Sequence, residues 1–526
     1  MRLLRALAKS AVTTIIFFAL AETTLRGAYL ARNAVVRYIP LPYVVGDDYG
    51  PIPPWLDNLL ILRPDDHLIW TNTPNARRTY VDIFTPARRD EDRVALLRRF
   101  VPWLPAEFRA SPTWAIALNA DGYRSAPMTE ARRPGVLRIA CLGDSWTFGM
   151  NVDQDRTYPS RLQALLERAS PSQGVEVMNF GVLGYSSFQG LQLLKQRVLD
   201  LHPQVLLIGF GMNDSEVAGY RDKDMVGSGT PGWRDRVKSA AGDSELYKLL
   251  RYVALVARFR PKTVGDYLHE EAAPKQDAAT DPSDYNAMEP WTRVSPRDYE
   301  ANVREMVRIA RARQIRVVLV DNELWMGSPY RATLSRIARD EQLPLVDSAQ
   351  IVRDATLAKE HELEGRLGLR ATNAVVEQAA PAGARQAVIF RVYEGSYAVP
   401  RALSIAGTDP QLGDVVPNSV FLHDDGQDGD ERAGDHVWSY RATFDVGARV
   451  HYVYTNSGRA GQWEGLDLPH IREVAVSRSA DGGPLYLPVE TFGKLYMQAD
   501  NWHTDAAGYD LIARAVEHAI VSLNPF

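Results

Sequence analysis

The apolar run Leu137-Arg138-Ile139-Ala140-Cys141-Leu142 stops at a glycine-bounded polar loop, Gly143-Asp144-Ser145-Trp146-Thr147-Phe148-Gly149. A short apolar run bounded by turn residues reads as a buried strand. A strand ending at Gly-Asp-Ser places a serine hydroxyl at the carboxyl end of a sheet, where open α/β folds bind ligands. The same tripeptide also suits an ordinary strand-to-helix turn, since Gly, Asp and Ser are good turn and cap residues. The pattern recurs: Val175 to Met178 runs into Asn179-Phe180-Gly181-Val182-Leu183-Gly184-Tyr185, and Val205 to Ile208 into Gly209-Phe210-Gly211-Met212-Asn213-Asp214. Ile315 to Val320 and Leu343 to Asp347 read as two further strands. Ser295-Pro296-Arg297-Asp298 reads as a helix start, with Tyr299, Val303, Met306, Val307, Ile309 and Ala310 on one apolar face. Helices alternating with apolar strands, without tight hairpins, predict an α/β fold with a doubly wound parallel sheet.

Near the C-terminus stand Asp500-Asn501-Trp502-His503, then Gly508-Tyr509 and a helix-like Leu511 to Ile520. These four blocks, in this order, resemble the SGNH (GDSL-type) esterases and lipases. The resemblance spans Val136 to Phe526 apart from one large insertion, and it implies a flavodoxin-like core. It also implies roles. Ser145 is the expected nucleophile and His503 its base, and Asp500 fixes the imidazole tautomer and stabilises the imidazolium. The implied oxyanion donors are the backbone N–H groups of Ser145 and Gly184 and the side-chain amide of Asn213. Ester hydrolysis needs such donors aimed at the developing charge. Glycine allows close backbone approach, and an amide donates without a charge of its own. No cofactor is implied. Plainer readings stand beside these: Asn213-Asp214 as a cap of the helix that follows, Gly184 as a turn glycine, Asp347 as second choice for the triad acid. His202 and His361 read as surface residues.

At 526 residues the chain exceeds one ordinary domain, and a net charge of −5 shows no basic footprint for nucleic acid. The single cysteine, Cys141, excludes an intrachain disulfide and reads as packing in the strand feeding Ser145. Arg2, Arg5 and Lys9 precede the uncharged Ser10 to Ala21, a positive region and apolar core of signal-peptide type. Ala19-Leu20-Ala21 offers a cleavage site. The apolar character resumes at Gly27 to Ala31, however, and Ala11 to Leu30 has the length of about 20 residues that crosses a bilayer. Membrane-linked bacterial members of the family carry a similar N-terminal helix ending in Glu and Arg, here Glu22 and Arg26. An uncleaved signal anchor with the body outside the cytoplasm, in the cell envelope, is therefore the expectation, with secretion following if Ala21 is a cleavage site.

The expected organisation is residues 1–35 anchor or signal peptide, 36–134 extension, 135–369 core, 370–481 insertion and 482–526 core. The extension is rich in proline and aromatics and carries Asn119-Ala120-Asp121-Gly122-Tyr123-Arg124, similar to an element of exported relatives and readable as a substrate contact or as a plain Asp-Gly turn. Residues Ala272 to Ala287 are polar and read as loop. The insertion contains short alternating runs, Ala387 to Val392, Ala402 to Ile405 and His451 to Tyr454, which predict a small antiparallel β-sandwich. Parts of it loosely resemble starch-binding-type and Ig-like modules. Trp438 and Trp463 suit either sugar stacking or core packing. Asp424, Asp425, Asp428, Asp430 and Asp435 form a glycine-laced acidic segment that suits calcium or a solvated hairpin. The functions in play are hydrolysis of a carbohydrate- or lipid-borne acyl ester, acetyl among the candidates, O-acyl transfer to an envelope or secreted polysaccharide, and non-catalytic carbohydrate binding.

Overall fold

The computed structural model describes residues 2–36, 61–65, 67–79, 115–129, 134–150, 152–172, 174–216, 221–226, 244, 246, 249–250, 292–323, 328–370, 375–376, 383–394, 403–416, 418–455, 472–492, 496 and 503–523. The proline-bearing stretch from Pro40 to Pro54 and the polar run Ala272 to Ala287 lie outside them. The chain begins with one continuous helix, α1 (Arg2–Val36). Arg26 Nε donates to Glu22 Oε1 at 2.7 Å, the pairing their spacing predicts. Ile15, Ile16, Phe17, Phe18 and Leu20 project from this helix exposed. Among the described residues no helix is long and apolar enough to cross a membrane; in α1 the threonines at 13, 14, 23 and 24 and the Glu22–Arg26 pair dilute the apolar run.

Strands β1 (Leu62–Asp65) and β2 (Ile69–Asn72) form an antiparallel hairpin, and β3 (Arg77–Thr79) pairs with β4 (Ala115–Ala117). The core sheet follows: β5 (Val136–Gly143), β6 (Gly174–Gly181), β7 (Val205–Gly209), β8 (Arg316–Asp321) and β9 (Leu345–Asp347). Their order is β6-β5-β7-β8-β9, every pairing is parallel, and the expected doubly wound sheet is present.

The core helices are α2 (Ser145–Phe148), α3 (Tyr158–Ala169), α4 (Ser187–Gln196), α5 (Pro296–Ala312), α6 (Pro329–Asp340), α7 (Ser348–Leu367) and α8 (Ala506–Ser522). Several starts are written locally. Thr157, Ser295 and Ser328 cap α3, α5 and α6 with their hydroxyls, each with proline in the first turn; a cap of this kind contributes about 1 kcal/mol. Leu137, Ile139 and Cys141 pack with Leu162, Val352 and Val516 on one face of the sheet. Ala140 and Leu142 pack with Leu194, Met306 and Leu334 on the other. Both faces are thus covered, as a parallel sheet requires. Cys141 is fully buried, and burial drives its thiol far above the ordinary range, so it packs rather than reacts.

Beyond α7 the chain forms β10 (Val375–Val376), β11 (Arg385–Tyr393), β12 (Ser404–Gly407), β13 (Val420–Phe421), β14 (Val437–Asp445), β15 (Arg449–Thr455), β16 (Arg472–Ala475), β17 (Arg478–Ser479) and β18 (Leu485–Thr491). Sheets β14-β11-β18 and β13-β12-β15-β16 share a core that includes Phe390, Ile405, Phe444, Tyr452 and Leu487, and β10 pairs with β17. The segment expected to return directly to the core opens as β18, parallel to β11. The sandwich therefore runs to Thr491, ten residues past the expected Asp481 boundary. It docks on α7: Arg391 Nη2 donates to Glu364 Oε1 at 2.8 Å, and Thr491 N and Oγ1 donate to Glu360 Oε1 at 2.9 and 3.0 Å.

Candidate active site

Three neighbouring strands end on glycines in one register row, Gly181 beside Gly143 beside Gly209. A side chain at two positions of this row has no room. A Cβ at Gly143 would stand 2.0 Å from Thr147 Oγ1, and one at Gly181 would stand 2.1 Å from Phe148 N. The row lets α2 settle onto the sheet's carboxyl edge, at the point where the strand order reverses. From this edge β6 leads to Gly184, β5 to Ser145 and β7 to Asn213.

His503, just before α8, reaches the same edge from 358 residues away: its Nε2 lies 2.7 Å from Ser145 Oγ. Both residues are buried. Asp144 caps α2, accepting from Trp146 N at 2.9 Å and from Asn213 Nδ2 at 3.1 Å. Burial pushes its carboxyl up to about 6, against the opposing pull of the Trp146 amide and of His503. Asn213 Nδ2 also donates to Tyr185 O at 3.2 Å, so both amide hydrogens have acceptors within the site. Gly184 adopts φ +73°, a left-handed conformation suited to glycine. Among the described residues neither the Ser145 N–H nor the Gly184 N–H has an acceptor.

Asp214 does not cap a helix after it. Its carboxylate receives Ser187 N and Ser187 Oγ, closing the start of α4. Burial first, and Asp222 in addition, raise it to about 8. Asp347 likewise has a structural part, capping α7 through Gln350 N and pairing with Arg331. Asp500, the expected third member, lies outside the described residues, as does Trp463. His202 and His361 are exposed, as read from sequence.

Arg124 escaped the sequence reading as a site residue. It is buried under α2, where Nη1 donates to Phe148 O (3.3 Å) and Gly149 O (2.5 Å) and Nη2 to Ala115 O (3.0 Å) and Val152 O (2.5 Å). The Asn-x-x-Gly-Tyr-Arg element is therefore a brace for the turn that carries Ser145. Arg293 was missed altogether. It bridges Gly184 O (2.7 Å), Glu216 (3.0 Å), Gln189 (2.9 Å) and both oxygens of Asp222 (3.1 and 3.0 Å). Neither arginine sits in a local pattern that announces burial; only their partners, remote in sequence, reveal it.

In the sandwich, Asp424, Asp430 and Asp435 bring carboxylate oxygens within 4.8 Å of one another, while Asp425 and Asp428 are not part of that group. Asp424 Oδ1 accepts from Gly434 N (2.7 Å) and Asp435 N (3.2 Å), so backbone amides of the hairpin supply part of the compensating charge. Trp438 is half-buried against the sandwich core, and its Nε1 donates to Glu394 Oε2 at 2.8 Å.

Residues 141–367 match the model of the GDSL-like Lipase/Acylhydrolase family. No curated protein matches the chain. Among solved structures, a protein of the G-D-S-L family from Desulfitobacterium hafniense shares 13% identity over 41% of this chain and 79% of its own, with a TM-score of 0.22. An acetylxylan esterase from Geobacillus stearothermophilus shares 16% identity over 41% and 77%, with a TM-score of 0.24. A two-domain esterase active on acetylated mannans shares 18% over 40% and 37%, with a TM-score of 0.23.

Proposed function

We propose, from the premise that the α/β core belongs to the GDSL-like lipase/acylhydrolase family and is an ester hydrolase, that this protein is an exported, membrane-tethered serine esterase acting on a carbohydrate- or lipid-borne acyl ester. The observation that carries the reading is the 2.7 Å approach of His503 Nε2 to Ser145 Oγ at the edge where Asn213 and Gly184 converge. In the proposed sequence, Ser145 Oγ attacks the acyl carbonyl and passes its proton to His503 Nε2. The oxyanion draws on the Ser145 and Gly184 N–H groups and on Asn213 Nδ2, which shares one hydrogen now given to Tyr185 O. His503 returns the proton to the departing alcohol. Water, deprotonated by His503, then releases the acid and frees Ser145. Asp500 takes the role of orienting His503. Losing one oxyanion donor costs about a hundred- to a thousandfold in turnover.

The test is turnover of p-nitrophenyl acetate together with fluorophosphonate labelling. Both should be present in the wild type and absent in Ser145→Ala; equal labelling of the two proteins would remove Ser145 from the mechanism. A sugar acceptor that captures the acyl group faster than water would assign O-acyl transfer instead. Tethering is supported by the exposed apolar residues of α1 behind Arg2, Arg5 and Lys9. The protein should sediment with membranes, and a reporter after Phe526 should be active outside the cytoplasm. A mature N-terminus at Glu22 would refute the tether.

A further inference from the structure

Three consecutive carbonyls of the Gly184 loop each accept a hydrogen bond from a side chain. Leu183 O receives Trp70 Nε1 at 3.0 Å, Gly184 O receives Arg293 Nη1 at 2.7 Å, and Tyr185 O receives Asn213 Nδ2 at 3.2 Å. The first has a direct geometric consequence. Leu183 C=O and Gly184 N–H belong to one peptide plane, which is trans and holds the two bonds antiparallel. Pulling Leu183 O toward Trp70 turns the Gly184 N–H the opposite way.

Trp70 is itself fixed to the loop it holds. Tyr185 OH donates to Trp70 O at 2.8 Å, the two rings meet edge to face at 6.2 Å, and the Arg293 guanidinium lies 5.1 Å over the Trp70 ring. The β1–β2 hairpin that carries Trp70 is only two strands, too small to hold a shape alone. The core pins it instead, for Gln189 Nε2 donates to Leu68 O at 2.7 Å and Ile61, Leu62 and Leu68 are buried in the core cluster. Ile69, next to Trp70, has φ +67°, a conformation a β-branched residue adopts only when its surroundings hold it there. The hairpin is strained at the residue just before the one that delivers the indole.

We infer that Trp70 is a positioning residue for the oxyanion hole: through Leu183 O it sets the direction of the Gly184 N–H. The hole is thereby completed from outside the family-matched residues 141–367, by the extension ahead of the core. The indole acts through the loop, and its effect falls on the transition state, where the oxyanion forms, rather than on substrate binding. This rests on the esterase reading above.

The experiment uses the full chain with 3-benzothienylalanine at position 70, which keeps the bicyclic ring and replaces the N–H with sulfur, alongside Trp70→Phe. The expected result for both is a fall in kcat of about tenfold or more, somewhat less than deletion of a donor, at unchanged KM. The rate of fluorophosphonate labelling should fall in step, since the phosphonyl oxygen occupies the same hole. A benzothienylalanine variant with kcat and labelling within about twofold of wild type, or a loss confined to KM, would overturn the inference and leave the esterase reading standing. A wild-type protein that neither turns over ester nor takes the label would sink both.

Discussion

Strands β5 and β14 are nearly equal in length, eight residues and nine, yet they solve different problems. Every residue of β5 is buried, because helices cover both faces of its sheet. In β14 one face, Trp438, Tyr440, Ala442 and Phe444, packs into the core between the two sheets, while on the other Val437 packs with Leu363 of α7 and Arg441 and Asp445 are exposed. The parallel sheet leaves its chemistry at one edge, where each strand releases a loop in the same direction. The sandwich has no such edge, and its turns scatter to both ends. The candidate site accordingly draws on three adjacent loops of the first region, while the second touches α7 and delivers the chain back toward His503. One region fixes the reaction; the other is free to fix what reaches it.

The sharpest way to break that division lies at Ser145. Ser145→Ala and His503→Ala should each lower ester turnover by on the order of 10⁴-fold or more. The double variant should lose little beyond either, because such residues act as a unit. Measurable turnover in the double variant comparable to wild type would move the chemistry elsewhere. The next effect is on the brace. Arg124→Met leaves four carbonyls without their donor beneath α2 and should destabilise the protein by about 3 kcal/mol, read as an earlier denaturant midpoint. An unchanged midpoint would show that α2 is held by its glycine row alone.

Replacing residues 371–490 with a short Gly/Ser linker tests the other side of the comparison. Activity on a small acyl ester should persist, and activity on a glycan-borne ester should fall about tenfold, the sandwich supplying access or binding. Equal loss on both would mean that the sandwich shapes the catalytic edge itself. A further effect concerns Asp214. Its folded-state value near 8 lies above the unfolded carboxyl's, about 4, so the folded protein holds that proton longer. This contribution to stability is therefore full below about pH 4 and is lost as pH rises through about 8. Asp214→Asn should flatten that slope in denaturant titrations across the interval, and an unaltered slope would assign it to other groups.

Much of this was legible in the linear chain because the determinants are local. Apolar runs ending before Gly143, Asn179 and Gly209 marked three strands and their loops, although the second strand runs on to Gly181, and Tyr299 through Ala310 fell on the buried face of α5 as the helical period predicts. The Ser295-Pro296 start marked the cap of α5. The sandwich was visible as alternation but its end was not: β18 also alternates, yet its partner β11 lies about a hundred residues upstream and no local signal joins them.

Sequence by itself determined which strands release glycine-turned loops at the sheet's edge and in what order, because strand period, capping and glycine turns act within a few neighbours. Tertiary structure alone decided what holds those residues in place. Arg124, Arg293 and Trp70 look like ordinary members of polar or aromatic stretches. Each acquires its role from carbonyl groups remote in sequence, and desolvation turns those hydrogen bonds from optional into obligatory. The approach of His503 to Ser145 across 358 residues is of the same kind: a contact that closes only when the sheet and α8 have both folded.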